Sequence, residues 1–103
     1  MDYLKLDNCY HDDTPAQTRY TRMRDGLNAT NREIFFSICN WGEEDVDSWG
    51  NITGNSWRTT GDISNNFDSM KSNILSNGPP VSAGPGGWND PDMLEVGVVI
   101  NGE

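Results

Sequence analysis

Histidine is almost missing from this chain: His11 is the only one among 103 residues, and cysteine occurs twice, as Cys9 and Cys39. A tetrahedral zinc site needs several His or Cys ligands at short spacing, and His11 has no such companion. Basic residues are scarce too, with Lys and Arg totalling 7 against 16 for Asp and Glu and a formal net charge of -9. Without a Lys/Arg cluster to neutralise a phosphate backbone, the chain has no electrostatic footprint for nucleic acid. No apolar run approaches the roughly 18 residues that span a bilayer, and no basic stretch followed by an apolar one marks a secretion signal. The glycine-rich run Gly84-Pro85-Gly86-Gly87 lacks the following Lys-Ser or Lys-Thr of a phosphate cradle, and the acids do not follow a calcium-loop pattern. Metal, nucleotide, nucleic-acid and membrane functions all recede on these absences.

What is present suits an ordered, loop-rich protein: 34% hydrophobic residues, four tryptophans and eleven glycines. The length fits one small domain or a portion of a larger one. Most acids are scattered singly, as on a solvated surface.

Along the chain, residues 2–8 read as a strand in which Tyr3, Lys5 and Asp7 share one face and Leu4 and Leu6 the other. Thr14-Pro15-Ala16-Gln17 reads as a helix start with Thr14 capping and Gln17 as its capping-box partner, and Ala16, Tyr20, Met23 and Leu27 form the buried stripe. That helix is expected to end between Asn28 and Asn31. Glu33 to Asn40 is a second strand, apolar on both faces as covered parallel strands are. A short helix is expected over Glu43 to Trp49, a loop over Gly50 to Asn55 and a third strand over Ser56 to Ile63. Phe67, Met70 and Ile74 mark a helix over residues 65–75 with Ser64 or Asn65 as cap. Residues 77–93 are dense in turn formers, and Met93 to Ile100 reads as a further strand.

Alternating strands and helices are the signature of parallel βα units, an α/β fold. Such units gather functional groups after the carboxyl ends of their strands, where Asp7, Cys39 with Trp41, and Asp62 all fall. Asp7 beside same-face Lys5 is either an oriented nucleophile or a structural ion pair at the sheet rim. Asp62 follows Gly61, shares parity with Arg58, and makes a second carboxylate able to divide acid/base labour with the first. Trp41, Trp57 and Trp88 supply aromatic faces for a sugar ring or for the core, and Asp90-Pro91-Asp92 adds two acids at the same end. A Cys9–Cys39 disulfide agrees with the cysteine count, though spacing does not establish it. Two sequons, Asn28-Ala29-Thr30 and Asn51-Ile52-Thr53, carry meaning if the chain passes a secretory route.

Four stretches in this order, "DYLKLDNCY", "FFSICNWG", "SWRTTGDI" and "AGPGGWNDPDMLEVG", closely resemble the melibiase-type alpha-galactosidases of glycoside hydrolase family 27, from about Asp2 to Gly97. The resemblance implies a (β/α)8 TIM barrel, of which residues 1–103 hold an incomplete catalytic domain, about strands four to seven, with an antiparallel β domain beyond it. It implies hydrolysis of terminal alpha-linked galactose with retention, Asp7 as nucleophile and Asp62 as acid/base. Lys5, Cys39, Trp41, Arg58 and Asp92 match positions lining the galactose pocket. No metal or organic cofactor is implied, and the expected partners are galactose-containing oligosaccharides or glycoconjugates. The family also implies a disulfide from Cys9 to a cysteine upstream, outside this chain, with Cys39 left to contact substrate. A secreted, vacuolar or lysosomal setting follows from the family, although the chain itself shows no signal peptide. The companion readings are an alpha-N-acetylgalactosaminidase, discriminated around the sugar C2 substituent by the Glu43 to Trp57 segment, and a carbohydrate-binding remnant. An open barrel segment is expected to expose two sheet edges and unpaired apolar side chains.

Overall fold

The computed structural model describes residues 1–78 and 82–94. Four strands, β1 (Tyr3–Asp7), β2 (Phe35–Cys39), β3 (Ser56–Arg58) and β4 (Trp88–Asp90), form one sheet in the order β1-β2-β3-β4. All three neighbouring pairs are parallel. Helices α1 (Ala16–Asn28), α2 (Val46–Thr53) and α3 (Phe67–Ser76) stand in the three crossovers. This is the sequential βα winding of a partial (β/α)8 barrel segment, the α/β class that the alternation predicts. Among the described residues no helix is long and apolar enough to cross a membrane.

Register divides the side chains between two faces. Leu4 pairs with Phe36, Leu6 with Ile38, and Ile38 with Trp57, and these point toward the helices. They meet Ala16 and Tyr20 of α1 and Val46 and Trp49 of α2 in a single buried cluster, with Met23 and Leu27 packed against it. The four-residue stripe expected on α1 is therefore the one the fold uses. Burying a side chain such as Ile38 stabilises by about 2–3 kcal/mol, and the Tyr20 ring adds tilted contacts to Phe36 and Trp49, each at 6.2 Å between centroids. Gly50 lets α2 approach β3 closely, since a Cβ there would lie 2.6 Å from the Trp57 ring. Trp57, one of the three tryptophans considered for sugar stacking, is fully buried in this core instead.

Several local expectations are corrected. The cap of α1 is not the Thr14/Gln17 box: Pro15 holds the cap position without a side-chain bond. The Ala16 N–H instead donates to the Glu44 carboxylate at 3.2–3.3 Å, a group 28 residues away. α2 begins three residues later than Glu43 and runs through the segment read as loop, because Glu44 and Asp45 sit in left-handed backbone (φ 53° and 50°) that a helix cannot include. β3 stops at Arg58 rather than Ile63, where the chain turns to surround the Arg58 guanidinium. The α3 cap is Asn66, whose side chain accepts from the Ser69 N–H at 2.7 Å, rather than Ser64 or Asn65. Phe67, Ile74 and Leu75 of α3 stay 49–70% exposed, and of its expected apolar stripe only Met70 is partly buried. β4 emerges from inside the turn-rich segment. Met93 and Leu94 belong to no strand, and residues 95–100 of the expected further strand lie outside the described residues.

The second sheet face carries Tyr3, Lys5 and Asp7 of β1, all exposed, with Phe35 stacked on Tyr3 at 5.3 Å. Trp88 on β4 is also half exposed. Apolar side chains on this face are thus exposed to solvent, as expected of an open barrel segment.

Candidate active site at the strand ends

Parallel register sets the chemistry in rungs across that second face. Lys5 lies beside Ser37, Ser37 beside Ser56, and one rung further Asp7 lies beside Cys39 and Arg58 beside Asp90. Asp7 and Cys39 are the last residues of β1 and β2, and Arg58 is the last of β3. Asp62 and Asp92 follow four and two residues past the ends of β3 and β4. The same parity that separates core from solvent therefore collects these groups at one edge.

Arg58 is the hub. It is 2% exposed, and among the described residues its two terminal nitrogens find partners while its buried Nε has none. Its Nη2 donates to the Gly61 carbonyl at 2.8 Å, the Thr60 carbonyl at 3.2 Å and Asp62 Oδ1 at 3.1 Å, and lies 3.3 Å from Asp92 Oδ2. Its Nη1 reaches the Cys39 sulfur at 3.8 Å. Asp92 Oδ2 also accepts from the Ile63 N–H at 2.7 Å, and Asp90 Oδ1 accepts from the Asp92 N–H at 2.9 Å. Asp92 and Arg58 together thus bracket the Gly61-Asp62-Ile63 turn. The two carboxylates on Arg58 differ in setting: the Asp62 side chain is 78% exposed and that of Asp92 11%.

Asp7 is exposed at the end of β1, its Oδ1 held by the Asn8 N–H at 2.7 Å. Cys39 pairs with Asp7 in register and its sulfur lies 3.8 Å from Arg58 Nη1. Burial pushes the Cys39 thiol up from its ordinary value, Lys5 and Arg58 oppose the rise, and Asp7 and Asp62 add to it. Desolvation likewise raises the Cys9 thiol, followed by the charge and hydrogen bond of Asp7 and the charge of Asp62. Trp41 stands just past β2, half-buried, with left-handed backbone at φ 59°. Tyr10, Glu44, Asp45 and Asp92 also have positive φ, as does Asn31 at the other end of the sheet.

The disulfide expected at Cys9 is corrected. Both cysteines are free thiols, Cys9 exposed and Cys39 buried. The chain holds only these two, and the Cys39 sulfur is engaged by Arg58.

Three residues of the site's support escape a sequence reading. Asn8 and Asn40, one step past the paired Asp7 and Cys39, are both buried. Asn8 Nδ2 donates to Glu43 Oε2 at 3.3 Å and Asn40 Nδ2 to the Glu43 carbonyl at 2.8 Å, which ties the ends of β1 and β2 to one loop. The available signal is their place directly after Asp7 and Cys39; nothing local reveals that Glu43 joins them. Among the described residues, no cluster of three His, Cys, Asp or Glu side chains is arranged to hold a metal ion.

A family model described as alpha galactosidase A matches residues 1–101. The chain is 55% identical over 98 residues to an alpha-galactosidase of Cyamopsis tetragonoloba and 52% over 98 residues to one of Oryza sativa, covering 94% of this chain and 24% of each relative. Among solved structures, the alpha-galactosidase of Saccharomyces cerevisiae determined with raffinose superposes with a TM-score of 0.86 at 35% identity, over 96% of this chain and 28% of that one. Alpha-galactosidase I of Mortierella vinacea superposes with a TM-score of 0.81 at 32% identity, over 94% of this chain and 31% of that one. The chain spans about a quarter of the length of the curated relatives it matches. A family model that matches residues 1–101, nearly the whole sequence, establishes that the chain belongs to the melibiase-type alpha-galactosidases, glycoside hydrolase family 27.

Proposed function

We propose that residues 1–103 are part of a catalytic barrel domain that hydrolyses terminal alpha-linked galactose from oligosaccharides or glycoconjugates with retention of configuration. The observation that carries this reading is the Arg58 hub, which holds Asp62 while touching Cys39, the β2 residue in register with Asp7. Asp7 at the end of β1 and Asp62 in the turn after β3 are thus linked through Cys39 and Arg58.

In this reading Asp7 is the nucleophile. Its Oδ1 is fixed by the Asn8 N–H, and Oδ2 attacks the anomeric carbon. Asp62, open to water and steered by Arg58, protonates the departing oxygen. The product is a galactosyl ester on Asp7. Asp62, now a base, takes a proton from water, which displaces the ester and frees galactose. Lys5 and Trp41 flank the rung as hydroxyl donor and ring platform, and Arg58 and Asp92 set the acid/base turn. The family's secreted, vacuolar or lysosomal setting is proposed with this activity.

The test is turnover of a chromogenic alpha-galactoside at mildly acidic pH by the wild-type chain and by Asp7→Asn and Asp62→Asn. Turnover lost by at least 100-fold in both variants supports the assignment. Equal turnover in wild type and variants overturns the roles of Asp7 and Asp62, whereas no turnover in a chain shown folded by circular dichroism favours a carbohydrate-binding remnant.

A further inference from the structure

Among the described residues α3 offers the core little, since Phe67, Ile74 and Leu75 are exposed. Its half-buried positions are instead Ser69, Met70 and Asn73, with Asn77 at the C-cap. Ser69, Asn73 and Asn77 recur at a spacing of four, which puts them on one face of the helix. Polar side chains thus occupy the face where an apolar stripe would meet a core.

Each of these polar groups is bonded to the turn that carries Asp62. Thr59, the residue after Arg58, donates its hydroxyl to Asn77 Oδ1 at 2.6 Å. The Asp90 carbonyl, 3.3 Å from the same hydroxyl, already receives the Thr59 N–H at 2.9 Å, so the hydroxyl proton belongs to Asn77. Asn73 Nδ2 donates to the Gly61 carbonyl at 3.3 Å, an acceptor it shares with Arg58 Nη2 at 2.8 Å. Ser69 Oγ accepts from the Ser64 N–H at 2.9 Å, where the turn runs on toward α3. Packing holds little of this: a Cβ at Gly61 would meet nothing within 4 Å, and a cavity of about 250 Å3 lined by Val46, Thr59, Asn77 and Asn89 adjoins the end of α3. The peptide between Gly61 and Asp62 is planar, so the bonds on the Gly61 carbonyl set where the Asp62 side chain starts.

We infer that Asn73 and Asn77 are positioning residues for Asp62, with α3 bracing the acid/base turn in addition to Arg58 and Asp92. The inference deepens the proposed role of Asp62 and rests on it. A displaced acid is felt in proportion to the help the leaving group needs. An alkyl alcohol departs only when protonated, whereas a dinitrophenolate departs without a proton. Loss of the brace therefore slows cleavage of an alkyl galactoside far more than that of a dinitrophenyl galactoside. The direction of each bond supplies a second mark. Asn77 accepts, so Asn77→Asp keeps its bond, while Asn73 donates, so Asn73→Asp sets a carboxylate against a carbonyl oxygen.

The experiment compares kcat/KM of the full chain on methyl alpha-galactoside and on dinitrophenyl alpha-galactoside, together with amide hydrogen exchange at Ile63, whose N–H is held by Asp92 Oδ2. Asn73→Asp and Asn77→Ala are expected to lose about tenfold or more on the methyl galactoside and under about twofold on the dinitrophenyl galactoside. In both variants the Ile63 N–H is expected to exchange about tenfold faster while the β1 and β2 amides are unchanged, which separates a loosened turn from a destabilised fold. Asn77→Asp is expected to stay within about twofold of the wild type throughout. Equal losses on the two substrates, no loss on either, or Asn77→Asp behaving as Asn77→Ala overturns the inference. A folded wild-type chain that turns over neither substrate fails the catalytic reading instead; faster Ile63 exchange in the variants then supports the α3 brace, and unchanged exchange overturns it.

Discussion

Arg58 binds two carboxylates, and the water around each decides what the bond is worth. Asp62 keeps 78% of its side chain in solvent, whereas Asp92 keeps 11% beside a guanidinium that is 2% exposed. An exposed carboxylate contributes under about 1 kcal/mol to such a pair, while removing the buried partner leaves a charge without compensation at a cost of about 3 kcal/mol or more. Asp62→Ala is accordingly expected to unfold in urea within about 1 kcal/mol of the wild type. Asp92→Ala, which also orphans the Ile63 N–H, is expected to lose about 3 kcal/mol. Denaturation midpoints of the two variants check this, and equal losses would mean that Asp62 is as structural as Asp92. The contrast suits the role proposed for Asp62, since an acid/base has to be steered without being sealed off from its substrate.

Among the elements, α1 shows how a cap comes from far along the chain. Glu44 places a carboxylate on the first free N–H of α1, while its own carbonyl accepts from the Trp49 indole at 2.8 Å. One left-handed residue therefore fastens the start of α1 and the start of α2 to the end of β2. Gly42 completes that loop: with φ 79°, a Cβ there would lie 2.3 Å from the Thr59 carbonyl oxygen. Glu44→Ala is expected to cost about 1 kcal/mol through the lost cap, and Thr14→Ala no more than about 0.5 kcal/mol because its side chain caps nothing. Thermal or urea unfolding of the pair checks this, and the reverse order of losses would restore the local capping box. The comparison also shows what the sequence makes legible. Strands β1 and β2 and the Ala16, Tyr20, Met23, Leu27 stripe follow from periodicity, because each is decided by which face meets the core. β4 is hidden among turn formers, since three residues become a strand only when Ser56, Trp57 and Arg58 are there to pair with them. The strand-end position of Asp7 and Cys39 follows from parity, whereas the Arg58 hub and the Glu43 tie depend on contacts no local pattern encodes.

For the whole molecule, two buried acids on facing elements link stability to pH. Tyr20 of α1 is fully buried and donates its hydroxyl to the Leu6 carbonyl at 3.1 Å. Burial raises its titration above the ordinary 10.0, and the nearby Cys39 thiol, itself raised above 9.0 chiefly by burial, adds to the rise. Both groups are neutral when protonated, so folding favours the protonated form of each. A raised folded value means that the folded chain holds protons the unfolded chain releases. The stability these groups contribute is therefore complete below pH 9.0, the unfolded value for Cys39, and is lost as pH rises through the folded values. Urea midpoints measured between pH 8 and pH 11 are expected to hold level and then fall. Tyr20→Phe removes one ionisation and one hydrogen bond, so it should start about 1 kcal/mol lower yet decline less steeply above pH 10. Cys39→Ala should flatten the earlier part of the fall, from pH 9 upward. If both variants instead fall in parallel with the wild type, the Cys39 thiol and the Tyr20 phenol have no part in the alkaline loss.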